Sequence, residues 1–331
     1  MPNLPKPRLR NRSRSRVDAH AAPAAAEPNV EVVEHGGLRW INIERPGPLD
    51  RAWLEEHFEF HALDYEDVSS RNQRPKIDEY DDYLFIVLHF PVFDKNVGRL
   101  NAGELDIFIG DGYLITLPNV PLRPVEYLFE RCRVSEETRD QFFSQGAGYL
   151  LYKIVDDSFD YCFPMLRKVG NKLDVIEEDI FEGRSEEVVR DISNAKQEII
   201  NFRKIIRPQR QVLRDLERVK LRFLSEEHEL YFDDVVDASE RIWDMLENYK
   251  EVVEALEDTN ESVLSHRVND VLRVLTAFSV VILPLTLIAS IWGMNVGVPG
   301  EGSTAAFWII VGSMVALLAT MLSYFRHRGW L

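Results

Sequence analysis

The sequence predicts an α/β domain, then a long α-helical stalk, then two C-terminal transmembrane helices. Three observations carry that expectation. Residues 30–134 hold short runs of aromatic and β-branched residues broken by turn residues, the mark of strands. Pro208 and Pro284 enclose 75 residues with neither glycine nor proline, which is helix without interruption. Two uncharged runs then close the chain, nineteen residues at 274–292 and twenty-one at 305–325.

Composition limits the rest. With 331 residues, 45% hydrophobic and 28% charged, the chain has room for two ordinary domains. A mean hydropathy of −0.21 excludes a polytopic membrane protein but not a short membrane part. The net charge of −16 argues against a nucleic-acid partner, which needs a basic face to neutralise phosphates, and favours cations. Cys132 and Cys162 lie 30 residues apart without a CxxC or Cys/His cluster, so neither a disulfide framework nor a structural zinc site is expected.

Residues 1–28 read as a basic tail. Six basic residues and no acidic one fall within the first 16 positions, and the mixture of Pro, Arg, Ser and Ala predicts disorder. No apolar stretch of signal-peptide type occurs there. Residues 29–134 read as the α/β domain. Arg39-Trp40-Ile41-Asn42-Ile43 and Tyr83-Leu84-Phe85-Ile86-Val87-Leu88-His89-Phe90 are strand candidates. Leu105–Ile109 and Tyr113–Leu117 flank Gly110-Asp111-Gly112, which predicts a hairpin closed by an Asp-Gly turn. Gly146-Ala147-Gly148 lacks the third glycine and a preceding strand, so no dinucleotide site is expected.

Residues 135–273 read as helical domain and stalk. Gly183 breaks an acidic helical stretch at 174–191, and the proline-free stretch is one very long helix or two with a break near 225–232. Fourteen acidic residues against Arg241 and Lys250 make residues 226–261 carry −12, three quarters of the net charge. Such a charged helix is ordinarily a solvated stalk.

Residues 274–292 and 305–325 are each long enough to cross a hydrocarbon core of roughly 30 Å, which takes about 20 residues. The connecting loop, 293–304, contains no Lys or Arg, whereas Arg267 and Arg273 precede the first span and Arg326 and Arg328 lie in the tail at 326–331. The positive-inside rule therefore places both chain ends in the cytoplasm. Two helices cannot enclose a pore, so conduction requires several copies about an axis. In the first span and just ahead of it, Asn269, Thr276, Ser279, Thr286 and Ser290 fall within an arc of about 100°, with Leu272 and Leu283 among them. This stripe is either packing glue between helices or the lining of a water-filled path.

Gly293-Met294-Asn295 follows that span directly. Together with Arg267-Val268-Asn269-Asp270-Val271-Leu272-Arg273-Val274-Leu275-Thr276, the stretch 282–292 and Trp330-Leu331, it resembles the CorA family of divalent-cation transporters. Fainter matches are Gln73-Arg74-Pro75-Lys76 with 83–88, and Tyr231-Phe232-Asp233-Asp234, so the likeness covers roughly residues 30–331. The resemblance implies a funnel-shaped homopentamer in the cell (inner) membrane. Its pore entrance would lie at Gly293, Met294, Asn295 and Glu301, and its lining at Asn269, Leu272, Leu275, Ser279, Leu283 and Thr286. Mg²⁺ is implied as both transported and regulatory ion, with Co²⁺ or Ni²⁺ as further passengers. The regulatory ion would bind between subunits at Asp94 and Asp234, with Asp237 or Asp233 assisting.

The physics suits those residue types. Mg²⁺ gives up its waters reluctantly, so neutral oxygen rings handle it through its hydration shell, and leucine rings close by dewetting. No GxxxxGK[ST] loop or organic-cofactor motif occurs, and a divalent cation moving inward down 100 mV gains about 4.6 kcal/mol, enough for passive uptake. No nucleophile sits in a recognisable motif, so an enzyme is not expected. The loop Asn295-Val296-Gly297-Val298-Pro299-Gly300-Glu301-Gly302 differs from the aromatic and Met-Pro-Glu-Leu loop of magnesium-type members. It is closer to the zinc-transporting ZntB branch, which leaves a Zn²⁺ transporter, proton-coupled or not, as the alternative. A non-conducting membrane-anchored scaffold is the alternative of another class.

Overall fold

The structure, a computed structural model, describes residues 27–70, 73–94, 97–182, 185–219, 229–300 and 302–330. The basic tail expected at 1–28 thus falls almost wholly outside the described residues. By compactness the chain divides into two units, one taking the residues up to Arg167 with Ile200–Leu246, the other Lys168–Ile199 with Glu247–Leu331.

The first unit is built on a six-stranded sheet. Its strands are β1 (Glu31–His35), β2 (Leu38–Asn42), β3 (Lys76–Glu79), β4 (Tyr83–Asp94), β5 (Arg99–Gly110) and β6 (Tyr113–Pro118), in the order β1-β2-β6-β5-β4-β3. All neighbours are antiparallel except β2 and β6. The Asp-Gly turn forms as its residues predict: Gly110 pairs with Tyr113, and Gly112 takes φ 74°, which a side chain would resist. β4 and β5 pair over twelve residues each, from Tyr83↔Gly110 to Asp94↔Arg99. Pro91 is tolerated because it lies beyond Leu84–Val87, the part of β4 that β3 covers.

Alternation along the strands fills both faces. Toward α1 (Pro48–His57) and α2 (Ala62–Ser69), Phe85, Val87, Phe108, Ile115 and Leu117 pack on Leu54, Phe60 and Tyr65. The opposite face carries α3 (Arg123–Val134), α4 (Glu136–Phe143) and α5 (Ala147–Asp160). There Trp40 meets Phe129 edge-on at 4.9 Å and Phe90 meets Phe159 at 5.5 Å. Trp40 is fully buried, and its indole N–H donates to Thr116 Oγ1 at 3.0 Å. Cys132 and Cys162 are both buried free thiols, and burial pushes the Cys132 pKa up to about 11, so neither is a reactive thiolate at neutral pH.

Four longer helices follow: α6 (Cys162–Glu182), α7 (Ser185–Val219), α8 (Glu229–Trp292) and α9 (Thr304–His327). Along the proline-free stretch α7 runs to Val219 and α8 starts at Glu229; the break expected near 225–232 falls largely on residues 220–228, outside the described residues. Within the first unit α7 is fastened to the sheet by Gln209, which is fully buried. Its amide oxygen accepts the His89 N–H at 2.8 Å and its amide nitrogen donates to the His89 carbonyl, so one side chain acts as a strand partner on the free edge of β4. Gln209→Ala leaves both His89 groups unpaired, and each costs about 1–3 kcal/mol. Thermal unfolding of the variant is expected several degrees below that of the parent. Against the opposing effect of burial, Arg210 and Arg214 of α7 hold the Glu240 carboxyl of α8 below the ordinary range, and Trp243 lies between Arg203 and Arg210 at 4.9 and 5.0 Å. A lowered carboxyl contributes stability above its unfolded pKa and loses it as the pH falls through the folded value, so this pairing fades in acid.

Candidate ion path and regulatory carboxylates

At ~1.5 Å per residue, the 64 residues of α8 extend about 96 Å and the 24 of α9 about 36 Å. Both are long and apolar enough to cross a membrane. α9 ends in a Schellman cap: Trp330 N–H bonds the Phe325 carbonyl at 2.9 Å, Gly329 N–H bonds Arg326 at 3.1 Å, and Gly329 takes φ 68°. The Trp330 ring folds back to stack on Phe325 at 5.5 Å, giving the aromatic side chain a local structural task.

The two helices meet through one face each. Ala277, Val281 and Leu285 of α8 pack on Leu318, Met321 and Phe325 of α9, and Ala277 is wholly buried. At 100° per residue those three α8 positions centre about 180° around the helix from the centre of Asn269, Leu272, Thr276, Ser279, Leu283 and Thr286. All six of the latter are exposed, as is Leu275, with Leu272 at 51% and Leu283 at 67%. The face that carries hydroxyls and amides is therefore the one α9 leaves bare.

Hydrogen bonding fixes what that face offers. Thr276 Oγ1 donates to the Leu272 carbonyl at 2.7 Å, Ser279 Oγ to Leu275 at 2.9 Å and Thr286 Oγ1 to Ile282 at 3.0 Å. Each hydroxyl hydrogen is spent within the helix, so only oxygen lone pairs point outward, the polarity that accepts hydrogen bonds from the waters of a hydrated cation. Pro284 lacks an N–H for the Val280 carbonyl one turn before it, yet the helix continues to Trp292.

Gly293 closes the last turn through its N–H to Ala289 O at 3.0 Å, and a Cβ built there would stand 3.0 Å from that same oxygen. The close approach favours glycine at the first motif position. Met294 and Asn295 follow on exposed backbone, and Glu301 lies outside the described residues. Gly300 (φ 89°) and Gly302 (φ 77°) turn the chain back, and a Cβ on Gly300 would collide with Ala306 at 2.6 Å.

The expected regulatory carboxylates sit on the first unit. Asp94 ends β4 half-buried, accepting from Val97 N–H at 3.4 Å and Asn101 Nδ2 at 3.5 Å. Asp234 and Asp237 are exposed one turn apart on α8, because Phe232 and Val235 take the buried face. Within one chain, Asp94 does not join Asp234 and Asp237 in a three-ligand cluster. The structure adds acids the sequence reading missed. On α5 the Asp160 carboxyl is pushed up by burial and by the charges of Asp156, Asp157 and Asp234, with Lys153, which pairs Asp156 and Asp157 at 2.8 Å each, opposing. The signal available in sequence was the run Asp156-Asp157-Ser158-Phe159-Asp160.

Among the described residues one set of three carboxylates lies close enough to hold a metal, Asp64, Asp67 and Asp78. Lys76 already occupies it: its ammonium bonds Asp67 at 2.6 Å and also Asp78, while Tyr80 and Tyr83 donate to Asp64 at 3.0 and 2.7 Å. Burial works against the charged lysine, but the two carboxylates hold its pKa above the usual range, so the position carries its own cation.

A long helix with an apolar C-terminal part, its apolar returning partner and an α/β unit ahead of them define a membrane protein. The chain belongs to the family described as CorA-like Mg²⁺ transporter protein, whose model matches residues 35–327. It is 31% identical over 296 residues to the cobalt/magnesium transport protein CorA of Thermotoga maritima, covering 88% of this chain and 83% of that protein. The complete structure of the CorA magnesium transporter from Methanocaldococcus jannaschii superposes with a TM-score of 0.77 over 89% of this chain and 92% of that one, at 22% identity, which establishes the shared fold. The zinc transport protein ZntB of Yersinia pseudotuberculosis is 18% identical, with 88% of each chain covered.

Proposed function

We propose that the protein carries divalent cations, Mg²⁺ first with Co²⁺ or Ni²⁺ as further passengers, into the cell through a homopentameric pore in the inner membrane, with both chain ends cytoplasmic. One observation carries this reading: α9 covers the Ala277–Val281–Leu285 face of α8, leaving Asn269, Thr276, Ser279 and Thr286 exposed on the opposite face. Facing lipid, the Asn269 amide and the outward lone pairs of the hydroxyls would lack partners, a cost that further copies or water remove. Copies arranged about an axis supply both, with Asn295 amides at the outer mouth, acceptor hydroxyls along the path and leucine rings at Leu272, Leu275 and Leu283 as dewetting constrictions. Glu301 adds an acidic ring at the entrance. Mg²⁺ on the cytoplasmic side bridges Asp94 of one subunit to Asp234 and Asp237 of the next, and relieves the repulsion between their carboxylates.

The test is flux into liposomes holding the full-length protein at fixed membrane potential, comparing Mg²⁺ with Zn²⁺, with and without an inward proton gradient. Mg²⁺ influx indifferent to the proton gradient is expected. Zn²⁺ influx alone, faster with the gradient, would transfer the protein to the zinc branch, which the Gly- and Pro-rich loop after Asn295 favours. In the same liposomes Leu283→Asn is expected to raise the resting Mg²⁺ leak roughly tenfold, equivalent to ~1.4 kcal/mol off the barrier, because an amide ring holds water where a leucine ring expels it.

A further inference from the structure

A two-stranded ribbon holds its place poorly on its own. The end of β4 and the start of β5 form one. Residues 91–94 pair with 99–102, beyond the stretch 84–87 that β3 covers and the stretch 105–110 that β6 covers. Asp94 stands at the far end of this arm. At its root Phe90 meets Phe159 at 5.5 Å, and His89 is held through both backbone groups by Gln209 of α7. The Gln209 amide also donates to the Ile205 carbonyl at 3.1 Å, which fixes the side chain on its own helix.

The same stretch of α7 holds the element that carries the other regulatory carboxylates. Arg210, next in sequence, and Arg214, one turn on, both bond the Glu240 carboxylate of α8, Arg214 at 2.6 Å. Asp237 lies three residues before Glu240 and Asp234 three before that, so the pairing anchors the turns of α8 that bear both acids. Residues 209–214 thus tie the strand of Asp94 to the helix of Asp234 and Asp237, all within the first unit.

We infer that Gln209, Arg210 and Arg214 are positioning residues for the inhibitory cation, setting the distance between Asp94 and Asp234 within each chain. This rests on the reading that Asp94 of one subunit and Asp234 of the next share that cation. In a closed ring of identical copies each chain offers one carboxylate to either neighbour, so the spacing within the chain decides the gap the cation meets. Mg²⁺ demands near-ideal geometry, and ligands must be held to about 0.5 Å by the groups behind them. The proposed ion path begins at Asn269 and contains none of the three residues.

The experiment titrates Mn²⁺, which takes the same oxygen ligands as Mg²⁺, onto the purified full-length protein and reads bound ion by electron paramagnetic resonance. Wild type, Gln209→Ala and Glu240→Gln are compared, each with and without Asp234→Ala. Ile115→Ala, in the core beneath α1 and α2, serves as a control for lost stability of similar size. Gln209→Ala and Glu240→Gln are each expected to weaken the Asp234-dependent Mn²⁺ binding roughly three- to thirtyfold, to add nothing once Asp234 is gone, and to exceed any effect of Ile115→Ala. A folded Gln209→Ala that binds Mn²⁺ like the parent, while Asp234→Ala binds it more weakly, overturns the positioning role and leaves the shared site standing. An equal loss in Ile115→Ala, or a further loss on top of Asp234→Ala, also overturns it. Unchanged binding in Asp234→Ala itself removes the shared site and this inference together. Should Gln209→Ala fail to fold, Glu240→Gln decides alone, since its side chain is 29% exposed and fills no core.

Discussion

Asn295→Ala should abolish most of the Mg²⁺ flux while leaving the protein folded and assembled. The residue is exposed on the loop after α8 and packs into no core, so its removal has no stability penalty of the cavity kind. A hydrogen bond to a charged group is worth about 1.5–3 kcal/mol, which corresponds to roughly a ten- to hundredfold fall in flux when the amide ring is gone. Dye-reported influx in liposomes, normalised to reconstituted protein, measures it. Influx equal to the parent's would remove the outer ring from the mechanism and restore the scaffold reading, in which Asn295 has no work to do.

The second large effect is expected at Asp234. Truncation to alanine takes one carboxylate from the proposed intersubunit cation site and also relieves the like-charge repulsion on Asp160. Internal Mg²⁺ should then inhibit influx only at concentrations about tenfold higher or more, the equivalent of at least ~1.4 kcal/mol of binding. The measurement is half-inhibition by Mg²⁺ on the cytoplasmic face, with uninhibited flux as the internal control. Inhibition at the parent's concentration would sink Asp234 as a regulatory ligand, while reduced maximal flux with unchanged inhibition would point to a packing role.

How much of this was readable beforehand depended on whether a residue's neighbours lie nearby in sequence. Asp111-Gly112 specified its hairpin because a two-residue turn is a local matter, and the uncharged runs marked α9 and the end of α8 because length alone signals a span. The polar stripe stood out against its apolar surroundings at the helical period. Its counterpart was invisible: Ala277, Val281 and Leu285 look like every other residue in an apolar helix, and only the position of α9 selects them. Asp160 and Asp234 are 74 positions apart and come together through the packing of α5 and α8. Gln209 has no sequence signal at all, since a glutamine in a helix is ordinary until β4 leaves an edge for it.

The back-bonded hydroxyls of α8 have one more consequence. Chloride is stabilised by hydrogens, and between Thr276 and Thr286 the hydroxyl hydrogens of the stripe are committed to Leu272, Leu275 and Ile282. The proposed path, walled by these groups, is expected to reject anions without a single acidic side chain along that length. Discrimination of this kind arises from bond direction rather than from net charge, so neither titration nor added salt should erode it. In bilayer recordings the reversal potential under a magnesium chloride gradient should stay at the magnesium limit from mildly acidic to mildly basic conditions.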